Sequence, residues 1–456
     1  MSTPPTTGQL AYLVLCKALL GAMTISSKHS VPGHLDRGRR PDASARRAVG
    51  AAVIGNVLEW YDFVVYGYLA SIIATKFFPT ESETASLLAV FAAFGVGFVF
   101  RPLGAIAIGR IGDRKGRKVA LVLTVMLMAG GTVLIGLLPP YDAVGIAAPL
   151  ALVAARLIQG FAIGGEWGAS IAYLVEVAPE NRRGFYASLQ QMTVVTGLLM
   201  GSGISAILAT LLDPAALQAW GWRIPFLIGG LVVPVGFYMR RKIAETSPYL
   251  QSANAATSFK GTVPIVEAAQ VFGVSLVWSV AAYIFLVYMP TFTEKYAGLS
   301  HSAALWSNSL GLLLLMIFVP VFGAMSDRIG RKPLLLAGCL AFVVLPFPLF
   351  SLMLGTASIG VIVMVQAVFG IAVALLSGPA PAALAEVFET PTRMRGLSTA
   401  NAIAAAIFGG FAPFIATWLI ATTGSPIAPV GYVIACAVVS ALVTLTLRET
   451  ARRQLG

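Results

Sequence analysis

The sequence predicts an all-α polytopic membrane protein with twelve transmembrane helices arranged as two six-helix halves. Three observations predict it. Hydrophobic residues make up 57% of the 456 and charged residues 11%, with a mean hydropathy of +0.84, which is too apolar for a soluble chain of this length. From Val49 onward, apolar runs long enough to cross a hydrocarbon core of about 30 Å recur with short connections between them. A loop pattern occurs twice, as Gly109, Asp113, Arg114, Gly116, Arg117 and Lys118 and again, nearly half the chain later, as Gly323, Asp327, Arg328, Gly330, Arg331 and Lys332. A second pair of landmarks repeats at almost the same distance: Glu176 leads to Pro179, Arg182, Arg183 and Gly184, and Glu386 to Pro391, Arg393, Arg395 and Gly396. Two membrane-embedded halves with parallel repeats are what a carrier of the rocking type is built from.

In chain order, residues 1–47 form an N-terminal tail. Its run from Leu10 to Met23 is interrupted by Lys17 and is too short to span. No basic stretch precedes it and no clear small-residue cleavage site follows, so a signal peptide is a poor fit; Met23 is an alternative start, which sets 1–22 apart. The first bundle, 48–239, holds helices expected over 49–75, 85–109, 119–138, 147–178, 184–211 and 224–239. The first carries four polar residues, the second runs into the first copy of the loop motif, the third leaves it, the fourth ends at Glu176 and the fifth starts at Gly184. A polar stretch at 240–263, with Glu245, Ser247, Pro248, Ser252, Asn254 and Lys260, is a linker too short to fold as a domain. The second bundle, 264–449, repeats the pattern with helices over 264–290, 299–325, 334–354, 359–388, 397–422 and 427–447, and 450–456 is a short tail. The 46 glycines and 26 prolines fall largely inside the apolar runs, as expected where helices approach closely or bend.

A net charge of +12 and a pI near 9.8 would suit a nucleic-acid binder, but the position of the charge excludes that reading. Arg101 and Arg156 fall inside spans, and Lys76, Arg223 and Lys295 fall in loops on one side; the remaining basic residues collect in the other loops and in the tails. That asymmetry places both termini and both motif loops in the cytoplasm. Cys16, Cys339 and Cys436 are isolated in apolar runs and read as small hydrophobic residues rather than redox or metal ligands.

Each loop motif has a physical logic. Its first glycine lets two helix ends approach, its aspartate faces the positive N-terminal end of a neighbouring helix, and its basic residues stay among headgroups and water. Such a contact holds one side shut. The first helix carries Asn56, Glu59, Asp62 and Tyr66. At about 1.5 Å per residue from Arg47, Glu59 lies roughly 18 Å and Asp62 roughly 22 Å into the membrane, where an ionisable group faces a cavity or a partner. Arg101, about 14 Å from Arg110 on the antiparallel second helix, reaches a comparable depth. It is the expected static partner of Glu59, which leaves Asp62 as the better titrating acid, with Glu59 and Glu166 as the alternatives. On the fourth helix, Gln159, Glu166 and Tyr173 recur every seven residues and suggest a cavity wall, with Arg156 offering a fork to a carboxylate of the substrate or of Glu59 or Asp62. In the second half Trp278, Tyr283, Tyr288 and Trp306 read as packing or interface residues, and Asn308 and Gln366 are assigned no role. No phosphate-binding loop, metal-ligand cluster or nucleophile arrangement is present, so the chain is not expected to be an enzyme and needs no cofactor beyond a proton as coupling ion.

The residues resemble the major facilitator superfamily, through both loop motifs and through Arg156, Gln159 and Gly160 of the fourth helix. They resemble most its metabolite:proton symporter branch, which includes bacterial citrate, α-ketoglutarate, shikimate and proline/betaine transporters. The resembling segments are G-N-V-L-E-W-Y-D-F at 55–63, F-R-P-L-G at 100–104, R-L-I-Q-G-F-A-I-G-G-E at 156–166 and W-G-W-R-I-P-F at 220–226, and the likeness extends over about 49–449. The resemblance implies the twelve-helix major facilitator fold and a monomeric carrier in a bacterial inner membrane that takes up a small organic acid, such as a di- or tricarboxylate, with a proton. Symport of a zwitterionic osmolyte is the alternative. Gly201 is followed by Ser202 and not by the proline that drug antiporters resemble one another in, which counts against efflux. Only Thr450 to Gly456 follow the last helix, unlike the long coiled coil of osmosensing relatives, and no long soluble output domain supports a non-transporting sensor.

Overall fold

Backbone polar groups in lipid must be satisfied within their own segment, so the apolar runs fold as helices. The computed structural model describes residues 43–115, 117–163, 166–230, 263–356 and 358–451, without the side chains of 43–52, 112–115, 117–118, 120–121, 166, 169 and 391. The first half comprises α1 (Ala43–Tyr68 and Ala70–Phe77), α2 (Glu83–Val99 and Arg101–Lys115), α3 (Arg117–Leu137), α4 (Ala147–Ala162 and Glu166–Val177), α5 (Arg183–Leu211) and α6, of which 223–230 are described. The second comprises α7 (Ile265–Tyr296), α8 (His301–Ile329), α9 (Arg331–Val344 and Pro346–Gly355), α10 (Ile359–Val387), α11 (Thr390–Ala404, continuing to Thr423) and α12 (Ala428–Thr446). Among the described residues seven helices are long and apolar enough to cross a bilayer, and two bent pairs raise that to nine. Shorter apolar helices in α3 and α4 and the start of α6 complete the twelve. Nearly all of the expected linker, and the N-terminal tail as far as residue 42, lie outside the described residues.

The helices run past their apolar stretches. α11 starts at Thr390 rather than 397, because the turn containing Thr390, Thr392, Arg393 and Arg395 is helical but polar, and hydropathy sees only its apolar continuation. α1 bends by 62° at Leu69, and α9 by 41° where Pro346 and Pro348 enter the helix.

The halves meet along two seams. Along α5 and α8 the contact is continuous: the Ser202 hydroxyl donates to the Leu305 carbonyl at 3.1 Å, Ser309 donates to Ser202 at 2.9 Å, and the Trp306 indole donates to Thr210 at 3.1 Å. Interhelical hydroxyl bonds of this kind replace the hydrophobic drive that lipid cannot supply. α2 and α11 meet differently. Gly95 lies against the Phe411 ring and Gly410 against the Phe98 ring, each too close for a Cβ, but beyond Arg101 the two helices separate. There Ile106 is 54% exposed, and no described atom lies within 4 Å of where a Cβ on Gly109 would stand.

Candidate functional site

Between the halves lies a cavity of about 390 Å³, within the range of small-molecule sites. α1 contributes Asn56, Glu59, Trp60, Phe63 and Val64, spaced three and four apart along one face. α2 contributes Arg101, α4 Trp167, α5 Gln191, α7 Trp278 and Tyr283, and α11 Ser398, Thr399 and Asn401. A π-helical turn at Ile284–Tyr288 in α7 and another at Ala405–Gly410 in α11 border it, as such turns often border functional sites.

Among the described residues, Glu59 and Arg101 are the charged side chains on the wall. The Arg101 guanidinium lies over the Phe98 ring at 3.9 Å and the Phe63 ring at 4.8 Å, beside the Tyr283 hydroxyl and within electrostatic reach of Glu59. Its Nε and Nη2 are buried and make no hydrogen bond among the described residues. Those two donors form one edge of the guanidinium, matched in spacing to the two oxygens of a carboxylate. On the same cavity wall, Trp167 and Trp278 stand 5.8 Å apart at 52°, and the Trp278 indole is held by the Ser377 hydroxyl at 2.9 Å.

At the end bearing the loop motifs, the second copy ties the halves together. Asp327 accepts the Gly184 and Phe185 backbone N–H groups at 2.8 and 2.9 Å, so its carboxylate satisfies the first turn of α5. Gly323 sits against Ser188 and the Gly184 carbonyl with no room for a Cβ. Gly330 turns the chain from α8 into α9 at φ 108°, which glycine adopts without strain. Arg331 binds Asp327 at 2.8 Å and Glu386 at 3.2 Å, and Arg393 crosses to Glu176 at 2.8 Å. Arg328 is the motif's exposed basic residue, and Lys332 holds the Leu445 and Leu447 carbonyls at the end of α12. Of the first copy, Gly109 is exposed, with no described atom within 4 Å of where its Cβ would stand, and the side chains of Asp113, Arg114 and Arg117, and Gly116 entirely, lie outside the described residues. At the opposite end, Lys295 pairs with Glu83, and Ser71 donates to Glu294 at 3.0 Å.

The family model of the Major Facilitator Superfamily matches residues 52–352 and 296–455. This chain belongs to the major facilitator superfamily. It is similar to a citrate-proton symporter of Klebsiella pneumoniae, 38% identical over 83% of this chain and 86% of that one, and to a proline/betaine transporter of Escherichia coli (strain K12), 33% identical over 91% and 85%. Among solved structures it resembles a partially occluded inward-open xylose transporter XylE from E. coli, with a TM-score of 0.71 at 20% identity over 90% of this chain and 99% of that one. The superfamily fold of twelve helices in two six-helix repeats accounts for the doubled motif, and the relatives are transporters.

Within this superfamily member, five of the six membrane candidates divide into two groups, the sixth, Glu166, having its side chain outside the described residues. Glu59 and Arg101 share the cavity wall, whereas Asp62, Arg156 and Gln159 lie behind it. Three residues along a helix is a rotation of about 60°, which turns Asp62 out of the Asn56–Glu59–Phe63 stripe and between α3 and α6. There it is 2% exposed, within hydrogen-bond reach of Thr132 and tight against Gly229, and its Oδ1 has no partner among the described residues. Arg156 is enclosed by the rings of Tyr66 at 4.0 Å, Phe63 at 5.1 Å and Phe94 at 5.2 Å. It donates to Gln159 at 2.6 Å, and Gln159 donates to Thr132 at 2.8 Å. The expected cavity wall of Gln159, Glu166 and Tyr173 is corrected on this point. α4 presents Ile163, Trp167 and Gly168 to the cavity, Gln159 is buried on another face, and the Glu166 side chain lies outside the described residues. The described partners of Arg156, which was expected to reach Glu59, Asp62 or the substrate, are Gln159, the Phe63 carbonyl and the faces of Phe63 and Tyr66. Trp278 and Tyr283, expected as packing residues, line the cavity, as do Trp60 and Trp167.

Proposed function

We propose that this carrier takes a small organic acid into a bacterial cytoplasm together with protons, by alternating access. The observation that carries the reading is the Nε/Nη2 edge of Arg101, which has no partner among the described residues, on the wall of a cavity between the halves. A buried guanidinium with free donors costs stability unless a ligand completes it, and a carboxylate fits that edge. Glu59 and Arg101 form the proton and substrate centre. Asp62, Thr132, Gln159 and Arg156 form a polar chain behind it, and Glu166 is retained as a candidate on sequence alone. Asp327 and Arg331 hold the α5–α8 side of the motif end shut, and Gly109, Asp113, Arg114, Gly116 and Arg117 take the corresponding part on α2. The protein is placed in the inner membrane as a monomer, with the motif loops and both termini cytoplasmic and no cofactor besides the coupling proton.

A zwitterionic substrate is the second reading. It is favoured by Glu59 and the Trp167–Trp278 pair on the same wall, since a cation is held by a carboxylate and by aromatic faces. Uptake into proteoliposomes, screened over carboxylates and zwitterions with an imposed pH gradient, separates the two. Orientation is tested by cysteines placed at Ser82 and Ser252: a membrane-impermeant reagent on intact cells labels the first and spares the second, and the reverse pattern overturns the topology.

A further inference from the structure

α10 is interrupted at Gly378 and Pro379, which join a first piece, Ile359–Ser377, to a second, Ala380–Val387. Pro379 and Pro381 have no N–H to donate to the carbonyls four residues back, those of Leu375 and Ser377, so this turn is held by fewer backbone bonds than the helix before it and yields more readily. Just ahead of the interruption, the buried Ser377 hydroxyl accepts the Trp278 indole N–H at 2.9 Å. Trp278 lines the cavity and meets Trp167 of the other half. Beyond it, α10 supports the Asp327 contact that latches the motif end. Gly378 packs against α8 at the motif itself: a Cβ there would stand 2.7 Å from the Gly323 nitrogen and 2.8 Å from the Val319 carbonyl oxygen. Gly323 in turn packs on Ser188 and the Gly184 carbonyl of α5. About two turns further along α10, Glu386 holds Arg331, and Arg331 holds Asp327. This short stretch of α10 therefore reaches the latch through the backbone at Gly323 and again through the charge of Arg331.

We propose that Ser377 is a positioning residue that ties the cavity wall to this latch, so that displacement of the Trp278 indole passes through the interrupted turn of α10 to Gly323 and Arg331 and loosens the hold of Asp327 on α5. The packing suits that transmission. At Gly378 the helix backbones of α10 and α8 meet with no side chain on the glycine to yield between them, and close-packed interiors pass on displacement rather than absorb it. A solute seated against the Trp167 and Trp278 rings shifts the indole, and filling the cavity and opening the motif end become one equilibrium instead of two. The inference goes beyond the choice of solute and holds for a carboxylate or a zwitterion alike.

The test uses the full-length protein with its three cysteines replaced, held in lipid nanodiscs so that both faces are accessible, with Ser188→Cys as the reporter of the latch. Ser377→Ala is expected to speed the reaction of that cysteine with a maleimide about two- to tenfold, the worth of one buried neutral hydrogen bond. Trp278→Phe, which keeps a ring and loses the donor, is expected to speed it as well. On that background Ser377→Ala should add less than about twofold, since both changes remove the same bond. In a parallel protein the reporter is Ser71→Cys, at the opposite end. Neither change should speed labelling there, which separates release of the latch from loosening of the whole fold. An unchanged rate at position 188, a full Ser377→Ala effect on the Trp278→Phe background, or a matching rise at position 71 overturns the proposal. No solute enters these readouts, so their failure leaves carboxylate:proton symport standing, and failure of symport leaves them unchanged.

Discussion

Replacing Asp327 with asparagine removes one charge and keeps the shape, and its effect on the closed motif end follows from its contacts. The carboxylate accepts two first-turn N–H groups of α5 and pairs with Arg331, with both side chains nearly buried at 5% and 2% exposure. Asparagine keeps one acceptor and turns an amide donor toward the other N–H. The lost charge-assisted bond is worth about 1.5–3 kcal/mol, and the lost interaction with the helix end adds about 0.5–1 kcal/mol. Arg331 stays neutralised by Glu386, so the full penalty of an orphaned buried charge does not arise. A change of about 2–4 kcal/mol shifts the closed-to-open ratio at this end by about 30- to 700-fold. Ser188 reports it, being fully buried beneath Gly323 in the closed seam. In a protein with Cys16, Cys339 and Cys436 replaced, Ser188→Cys should react with an impermeant maleimide in inside-out vesicles at least tenfold faster once Asp327→Asn is added. An unchanged labelling rate at equal abundance would refute the latch.

The two deep arginines should separate cleanly. Arg101→Lys, which loses the planar fork, is expected to raise KM about tenfold or more at normal abundance, while Arg156→Lys lowers abundance and melting temperature and leaves KM within about twofold; the opposite pattern would move the substrate to Arg156. Asp62→Asn is expected to retain pH-gradient-driven accumulation that Glu59→Gln loses, and concentrative uptake by Glu59→Gln but not by Asp62→Asn would make Asp62 the proton site. Beyond the end of α12, Glu449 is partly buried, which alone would raise its carboxyl, but the backbone N–H groups of Arg331, Ala451, Lys332 and Thr450 outweigh this and hold it below its ordinary range. The contact therefore contributes fully at neutral pH and is lost as pH falls through the lowered value. Glu449→Gln should melt below wild type at pH 7, with the gap closing on acidification, and a constant gap would contradict that role.

The twelve helices were legible because length and apolarity are properties of a run, and the doubled motif gave the halves. The role of Asp327 at a helix N-terminus was legible too, since a carboxylate beside close-packed glycine has few other uses at a membrane boundary. What faces the cavity was not. In a soluble helix the polar face marks the outside, but here lipid, core and cavity all accept Trp60, Trp167, Trp278 and Tyr283, and the sequence carries no contrast between them. The depth of Glu59, Asp62, Arg101 and Arg156 could be counted from the ends, whereas their facing depends on helix rotation. A turn of about 60° separates Glu59 from Asp62, and Arg101 and Arg156 both approach the Phe63 ring, at 4.8 and 5.1 Å.

The central claim, that a carboxylate and a proton cross together through the Arg101 and Glu59 cavity, is tested most directly with a pH electrode in a lightly buffered suspension of de-energised cells expressing the carrier. Adding the transported carboxylate should make the medium more alkaline as protons enter with it. The signal should vanish with a protonophore and be missing in Arg101→Lys cells of equal carrier abundance. Uptake of labelled substrate with no pH change, or an undiminished pH change in Arg101→Lys, would contradict the account.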